Sequence, residues 1–244
     1  MMRLLVIAAA TVLSSAALAG EAEIRQVLKQ KFPNVRVDGV QPAPMPGLFE
    51  VRFQSQEGPQ IIYTDAMGNF FFVEGSIIDA KSGRNLTQER MRKLTAIKFN
   101  SLPLELAIKI QRGAGKRVLA MFTDPYCPYC RRFEQTLLQM DDITVYVFMY
   151  PVIRPDNADH SRAVWCSKDR VKAWLDLAAA DRAIVPDAPA NCPNPVDKVL
   201  ELGRSLRVSG TPTLFFTNGE RAGGGMELSA IRAQLDEVAK QPKR

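Results

Sequence analysis

The sequence is poor in the residue types on which most metal and nucleic-acid sites depend. Its 244 residues include one histidine and four cysteines. Two of the cysteines, Cys166 and Cys192, lie far apart, whereas a zinc site normally adds a second closely spaced pair. The net charge is +6, but lysine and arginine are dispersed among acidic residues and no basic run is interleaved with aromatics. We therefore expect no metal, no other cofactor and no nucleic-acid partner.

Apolar runs long enough to span a bilayer are missing beyond the N-terminus. Met1-Met2-Arg3 is a short basic start, residues 4–13 are almost wholly apolar, and Ala17-Leu18-Ala19 has the A-x-A pattern of a cleavage site. This arrangement predicts a secretory signal peptide over residues 1–19. A membrane anchor is the alternative, but the apolar run is short for a span and Ser14-Ser15 interrupts it. Export would place the cysteines where they form disulfides or carry out redox chemistry.

Residues 20–85 have the pattern of a small α+β domain. Residues 21–32 predict an amphipathic helix, because Ile24, Val27, Leu28 and Phe32 recur at spacings of three and four. Short runs separated by turn residues predict strands at 35–37, 48–53, 60–63, 69–73 and 76–79. A domain of about sixty residues buries a thin core, so it often gains stability by pairing with a copy of itself.

Residues 86–114 are predicted to form a linker helix. Thr87-Gln88-Glu89-Arg90 opens a polar helical stretch that runs to Leu102. Pro103 interrupts it, and residues 104–110 are expected to resume it. Gly113-Ala114-Gly115 then marks the start of a second domain.

Residues 115–244 have the element order of a thioredoxin-like α/β domain. The predicted elements are a strand at 117–122, a helix at 131–140, a strand at 143–150, helices at 158–180 and 196–206, a hairpin turning at Asn218-Gly219 and a helix at 228–239. The helices between the second and third strands form an insertion, which carries Cys166 and Cys192.

Cys127-Pro128-Tyr129-Cys130 lies between the first strand of this domain and the following helix. Strand, C-x-x-C and helix together are the thioredoxin-type redox arrangement. Cys127 would lie at the helix N-terminus, where unpaired N–H groups and the helix dipole favour an anion. We therefore expect Cys127 to attack a substrate disulfide and the more buried Cys130 to resolve the mixed disulfide.

Three further features need an interpretation. Cys166 and Cys192 are expected to form a structural disulfide that closes a loop of about 26 residues, worth about 3–4 kcal/mol in the loop-entropy model; an electron relay is the alternative. Thr211-Pro212 is expected to form a cis-proline loop that faces the substrate, although most X-Pro bonds are trans. His160 is expected to lie at the surface or to cap the start of the insertion. The alternative is that it acts as a base for Cys127.

The ordered set of these motifs resembles the bacterial periplasmic disulfide isomerases, the DsbC/DsbG family. The motifs are Phe122-Thr123-Asp124-Pro125-x-Cys127-Pro128-Tyr129-Cys130, Trp165-Cys166-Ser167-Lys168-Asp169, Cys192 and Gly210-Thr211-Pro212-Thr213. The stretch from Val35 to Pro44 also looks like the N-terminal domain of DsbC.

The resemblance implies a periplasmic, V-shaped homodimer that rearranges incorrect disulfides in exported proteins. Its N-terminal domains, each a cystatin-like small sheet plus helix, would pair, and two thioredoxin-like domains would face an uncharged cleft. It also implies that Cys127 and Cys130 are the redox pair, that Cys166 and Cys192 are the structural disulfide, and that Thr211 and Pro212 face the substrate. The membrane reductase DsbD would be the electron donor.

The Pro-Tyr dipeptide departs from the best-known DsbC members, which carry Gly-Tyr, and matches the DsbG branch. The Trp165-Cys166 insertion and the Ser209-Gly210-Thr211-Pro212 loop look more like DsbC, so isomerase is our leading hypothesis. A DsbG-like reductase of oxidised single cysteines, a DsbA-like oxidase and a holdase chaperone without redox activity stay open.

Overall fold

The structure, a computed structural model, describes residues 20–55, 58–154, 157–178, 191–224 and 226–241. The predicted signal peptide, residues 1–19, and most of the predicted loop at 186–195 lie outside the described residues. The chain divides between Thr95 and Ala96 into two compact units. No helix in the described ranges is both long enough and apolar enough to cross a membrane.

The first unit is a four-stranded antiparallel sheet covered by one helix. The helix, α1, spans residues 20–31. The strands are β1 (Arg36–Pro42), β2 (Leu48–Ser55), β3 (Gly58–Asp65) and β4 (Phe71–Phe72), paired in that order. Ile24 and Leu28 occupy one face of α1 because they are four residues apart, and they pack against Val40, Phe49 and Val51 of the sheet.

The last predicted strand of this unit, at 76–79, is wrong. Ile78 makes a single bridge to Asn85 and joins no sheet. Its neighbour Ile77 bonds instead to the start of the next helix, since Leu86 N donates to Ile77 O and Ile77 N donates to Thr87 Oγ1. The segment therefore satisfies its backbone groups locally.

The predicted linker helix is much shorter than residues 86–114. Helix α2 spans Leu86–Leu94 and begins where Asn85 Oδ1 accepts the N–H of Gln88 at 2.8 Å. Two 3₁₀ turns follow, at Phe99–Ser101 and Leu104–Leu106, and then a strand, β5 (Ile108–Arg112). Ile108 and Ile110 are buried while Lys109 is exposed, so the stretch has the period of a strand.

The second unit is a five-stranded mixed sheet with helices on both faces. Its strand order is β5-β7-β6-β8-β9, with only β6 and β7 parallel. The strands are β6 (Arg117–Thr123), β7 (Ile143–Met149), β8 (Thr213–Phe216) and β9 (Arg221–Gly223). The helices are α3 (Pro128–Leu138), α4 (Asn157–Cys166), α5 (Arg170–Ala178), α6 (Val196–Ser205) and α7 (Leu228–Ala239).

Side chains of β6 alternate between two cores. Leu119 and Met121 pack in the core that includes residues of α3, α5 and α7. Ala120 and Phe122 pack on the other face, in the core that includes residues of α6. Because both faces of β6 are buried, its sequence is an almost continuous apolar run.

The helical insertion between β7 and β8 is confirmed, but its first helix is broken. A single helix was predicted over residues 158–180, whereas α4 ends at Cys166 and α5 begins at Arg170. Asp169 Oδ1 accepts the N–H of Lys172 at 2.9 Å, and an aspartate in that position starts a new helix. Residues 179–190 lie outside the described chain.

Candidate active site

Cys127 is the N-cap of α3. Strand β6 delivers the chain to this point, and the Cys127 sulfur accepts the N–H of Cys130 at 3.3 Å. Pro128 is the first residue of the helix, where the N–H that proline lacks would have no partner. The cysteine thus takes the place of a conventional capping side chain, at the positive end of the helix dipole.

Thr211 contacts the same sulfur from the opposite side. Cys127 Sγ donates to Thr211 O at 3.4 Å, and the Thr211-Pro212 peptide bond is cis. Gly224 N donates to Pro212 O at 2.7 Å, and a Cβ atom at Gly224 would overlap the Pro212 ring. Glycine at 224 therefore allows the proline loop to lie close to β9.

Cys130 lies beneath Cys127 and is buried from solvent, with 2% exposure. Burial raises the pKa of its thiol to about 12, an effect that the hydroxyl groups of Thr123 and Thr211 partly offset. Cys130 is therefore a thiol at neutral pH. Cys127 is also buried, with 4% exposure, so the two cysteines differ chiefly because Cys127 is the one that caps the helix.

Asp124 is a buried carboxylate that fixes the loop before Cys127. Its Oδ1 atom accepts the N–H of Tyr126 at 2.9 Å. Its Oδ2 atom accepts the N–H groups of Val152 and Ile153 at 2.8 and 2.9 Å. Bonds from N–H groups to a carboxylate are stronger than neutral ones, so Asp124 holds the segment after β7 against the active-site loop.

His160 also contacts this loop. Its Nδ1 atom is hydrogen-bonded to the hydroxyl of Tyr126, and the two ring centroids lie 5.1 Å apart. His160 is the fourth residue of α4 and is half-buried, so it is neither a helix cap nor a free surface group. It links the helical insertion to the residue that precedes Cys127.

Glu134 is buried in α3, one turn after Cys130. Trp174 Nε1 donates to Glu134 Oε1 at 2.9 Å. Burial raises the pKa of the Glu134 carboxyl to about 7, and the hydrogen bond from Trp174 acts in the opposite direction. Glu134 therefore titrates near neutral pH inside the core.

Cys166 and Cys192 are joined in a disulfide with an S–S distance of 1.98 Å and a Cα–Cα distance of 6.1 Å. The adjacent Trp165 is covered by Arg170, whose guanidinium carbon lies 3.9 Å from the ring centroid. Arg170 Nε also donates to Trp165 O at 2.5 Å. The Cys166–Cys192 disulfide therefore joins the end of α4 to the segment before α6.

The structure brings together the four predicted residues Cys127, Cys130, Thr211 and Pro212. Sequence reasoning missed several residues around them because their partners are distant in the chain; these are Thr123, Asp124, Glu134, Val152 and Ile153. A signal existed for Glu134, a charged residue on the apolar face of α3. No group of three or more His, Cys, Asp or Glu residues suited to a metal occurs in the described part of the chain.

Comparisons with known proteins cover both units. A family profile described as "Disulfide bond isomerase protein N-terminal domain" matches residues 15–88, and one described as "Thioredoxin-like domain" matches residues 104–239. The "Probable thiol:disulfide interchange protein DsbC" of Bordetella pertussis is 40% identical over 212 residues, 87% of this chain and 73% of that protein. The "Thiol:disulfide interchange protein DsbC" of Escherichia coli is 28% identical over 233 residues, 93% of this chain and 92% of that protein.

Comparison with a solved structure also shows similarity to a disulfide interchange protein. The crystal structure of a disulfide interchange protein from Neisseria gonorrhoeae is 38% identical and superimposes with a TM-score of 0.50. The match covers 57% of this chain and 96% of that one.

Proposed function

This chain belongs to the DsbC family of thiol–disulfide isomerases, as its motifs predicted, and from that premise we propose how its own residues divide the reaction. Cys127 is the nucleophile and Cys130 is the resolving thiol. The observation that carries this assignment is the bond from Cys130 N–H to Cys127 Sγ. A sulfur at a helix N-terminus is stabilised as a thiolate, and the thiolate is the attacking species.

In the first step the Cys127 thiolate attacks one sulfur of a wrong disulfide. A bond forms between Cys127 and that sulfur, and the other substrate sulfur leaves as a thiolate. That thiolate can then attack a different disulfide of the substrate. When the correct pair forms, the last substrate thiolate displaces Cys127, and the protein is returned in its reduced state.

Cys130 ends reactions that do not rearrange. Its thiolate attacks the Cys127 sulfur, which forms the Cys127–Cys130 disulfide and releases the substrate as a thiolate. Because burial holds the pKa of Cys130 at about 12, its thiolate is rare at neutral pH. Cys130 is therefore proposed to act after Cys127 has formed the mixed disulfide.

Thr211 and Pro212 are proposed to face the substrate chain. Thr211 O lies 3.4 Å from Cys127 Sγ, so an incoming sulfur must approach beside this backbone. The Thr211 side of this loop is half-buried, and an extended client segment is proposed to pair with its backbone. The Cys166–Cys192 bond is proposed to be structural.

The first unit is proposed to pair with a second copy of the chain. Its match to the isomerase N-terminal domain supports this. So does the set of exposed large apolar side chains in its described residues, which are Phe32, Met45, Met67, Phe70, Phe72, Val73 and Ile78. Sedimentation should give a homodimer, and a monomer at micromolar concentration would contradict the assignment.

The periplasm is the proposed location, and the membrane reductase DsbD the proposed electron donor. Attack requires a reduced Cys127, so a protein that acts in an oxidising compartment needs such a donor. The redox state of Cys127 and Cys130 in cells tests this, because a donor-coupled isomerase is kept largely reduced.

The isomerase activity is tested with a scrambled substrate that contains several disulfides. Wild-type protein should restore native pairing, and Cys127→Ser should not. Equal recovery in both would overturn the proposed role of Cys127. The Pro128-Tyr129 dipeptide supports one further candidate, reduction of oxidised single cysteines, and a substrate with a single sulfenic acid would reveal it.

A further inference from the structure

The exposed large apolar side chains of the second unit all lie near the active site. Over the described residues of that unit they are Tyr129, which is 69% exposed, Val152, 49%, and Ile153, 48%. Tyr129 lies between the two cysteines. Apolar surface that is concentrated at one place usually marks an interaction site. We call these three residues the apolar rim.

Val152 and Ile153 are held in position by the active-site loop itself. Asp124 Oδ2 accepts both of their N–H groups, while Asp124 Oδ1 accepts the N–H of Tyr126. Tyr126 directly precedes Cys127. A single buried carboxylate therefore fixes the aliphatic pair relative to the attacking sulfur, and the exposure of the two side chains is part of an ordered segment.

A client cysteine that reaches Cys127 brings its neighbours close to the same surface. Successive residues of an extended chain are about 3.3–3.6 Å apart, so the residues on either side of the cysteine lie within a few ångströms of the reacting sulfur. The surface that they meet includes Tyr129. This surface therefore binds apolar neighbours more favourably than polar ones, because contact with it removes their apolar area from water.

We propose that the apolar rim binds the residues that flank the target cysteine, and that it selects cysteines with aliphatic or aromatic neighbours. This inference rests on the proposed role of Cys127 as nucleophile. Its partner is an unfolded or misfolded chain. Cysteine is among the most buried residue types, so a cysteine with apolar neighbours becomes accessible chiefly when a client is misfolded. The rim thereby recognises misfolding without reading a particular sequence.

Two disulfide-linked peptide dimers test the proposal. In each, two identical peptides are joined through a central cysteine, which has leucine on both sides in one dimer and serine in the other. Attack at either sulfur then meets the same neighbours. Serine is used in place of a charged residue because Arg132 and Arg154 are exposed nearby in the chain. Reduced full-length protein converts each dimer to two peptide thiols and itself becomes oxidised at Cys127 and Cys130.

Wild-type protein should reduce the leucine dimer about tenfold faster than the serine dimer, which corresponds to about 1.4 kcal/mol. In the double variant V152S/I153S this ratio should fall below about twofold. Both N–H groups that bond to Asp124 are kept in that variant. The matched variant V152I/I153L keeps aliphatic side chains and should retain the wild-type ratio. Tyr129 is left unchanged because it lies between the cysteines.

Equal rates for the two dimers in wild-type protein would overturn the inference, and this arm does not depend on any variant folding. An unchanged ratio in V152S/I153S would also overturn it. If that variant kept the ratio but sedimented differently, the rim would be assigned to a contact between copies of the chain. Failure of the proposed function looks different, since Cys127→Ser would then release one peptide thiol from each dimer as fast as wild type, by forming a mixed disulfide at Cys130.

Discussion

The backbone N–H of Cys130 donates to the sulfur of Cys127 across 3.3 Å. This single bond makes one cysteine the helix cap and leaves the other in the core. Both side chains are buried, with 4% exposure for Cys127 and 2% for Cys130, so the two thiols differ chiefly in their position relative to the helix dipole. The proposed reaction order follows from that difference, since Cys127 is the sulfur that caps the helix.

Glu134 should make the second unit less stable as pH rises. Burial raises the pKa of the folded carboxyl to about 7 from its ordinary value near 4.5, so the folded state binds this proton more tightly than the unfolded state. The free energy of unfolding should therefore fall between about pH 4.5 and pH 7, and it should stay at the lower value above pH 7. At pH 8, E134Q should be more stable than wild type by about 3 kcal/mol.

Urea unfolding followed by tryptophan fluorescence measures this effect. Both tryptophans, Trp165 and Trp174, lie in the second unit. Glutamine keeps an oxygen to accept the Trp174 N–H, so E134Q changes the charge with little change in shape. The difference between E134Q and wild type should vanish near pH 4, and an equal difference at pH 4 and pH 8 would contradict the account.

The disulfide should contribute to stability and leave the redox reaction in place. It spans 26 residues, so C166A/C192A should lose about 3–4 kcal/mol of unfolding free energy. The same fluorescence titration gives this value. Below the unfolding transition the variant should still reduce a small disulfide through Cys127 and Cys130. Loss of that reaction in folded C166A/C192A would favour the alternative of an electron relay between the two cysteine pairs.

Tyr126 and His160 should be energetically coupled. Y126F and H160F each remove one side of their hydrogen bond, and a partly buried bond of this kind contributes about 1 kcal/mol. A double-mutant cycle on unfolding free energies should therefore give a coupling of about 1 kcal/mol. Additive effects of the two substitutions would show that the contact does not hold α4 to the active-site loop.

Local patterns were sufficient to locate the reactive pair. Neighbouring residues determine that a strand ends just before the C-x-x-C and that a helix starts within it. The proline at the first helical position is a local signal of the same kind. The hairpin at Asn218-Gly219 is local in the same way, since Gly219 has a φ of 86°, which glycine adopts without strain.

Sequence patterns were insufficient where the structure of a segment depends on residues that are distant in the chain. Residues 108–112 form a strand because they pair with β7, and a short apolar run does not distinguish helix from strand by itself. The role of Asp124 depends on Val152 and Ile153, nearly thirty residues away. The cis bond before Pro212 was expected only from the C-x-x-C context, because it leaves no mark in residue spacing.

Trapping of the mixed disulfide tests most directly whether Cys127 attacks and Cys130 resolves. Reduced Cys130→Ser is incubated with a scrambled client, the mixture is acidified at intervals, and covalent complexes are mapped by mass spectrometry. The account predicts that complexes linked through Cys127 accumulate in Cys130→Ser, stay scarce in wild type and are missing from Cys127→Ser. Complexes linked through Cys130 in Cys127→Ser, at the yield seen for Cys130→Ser, would contradict it.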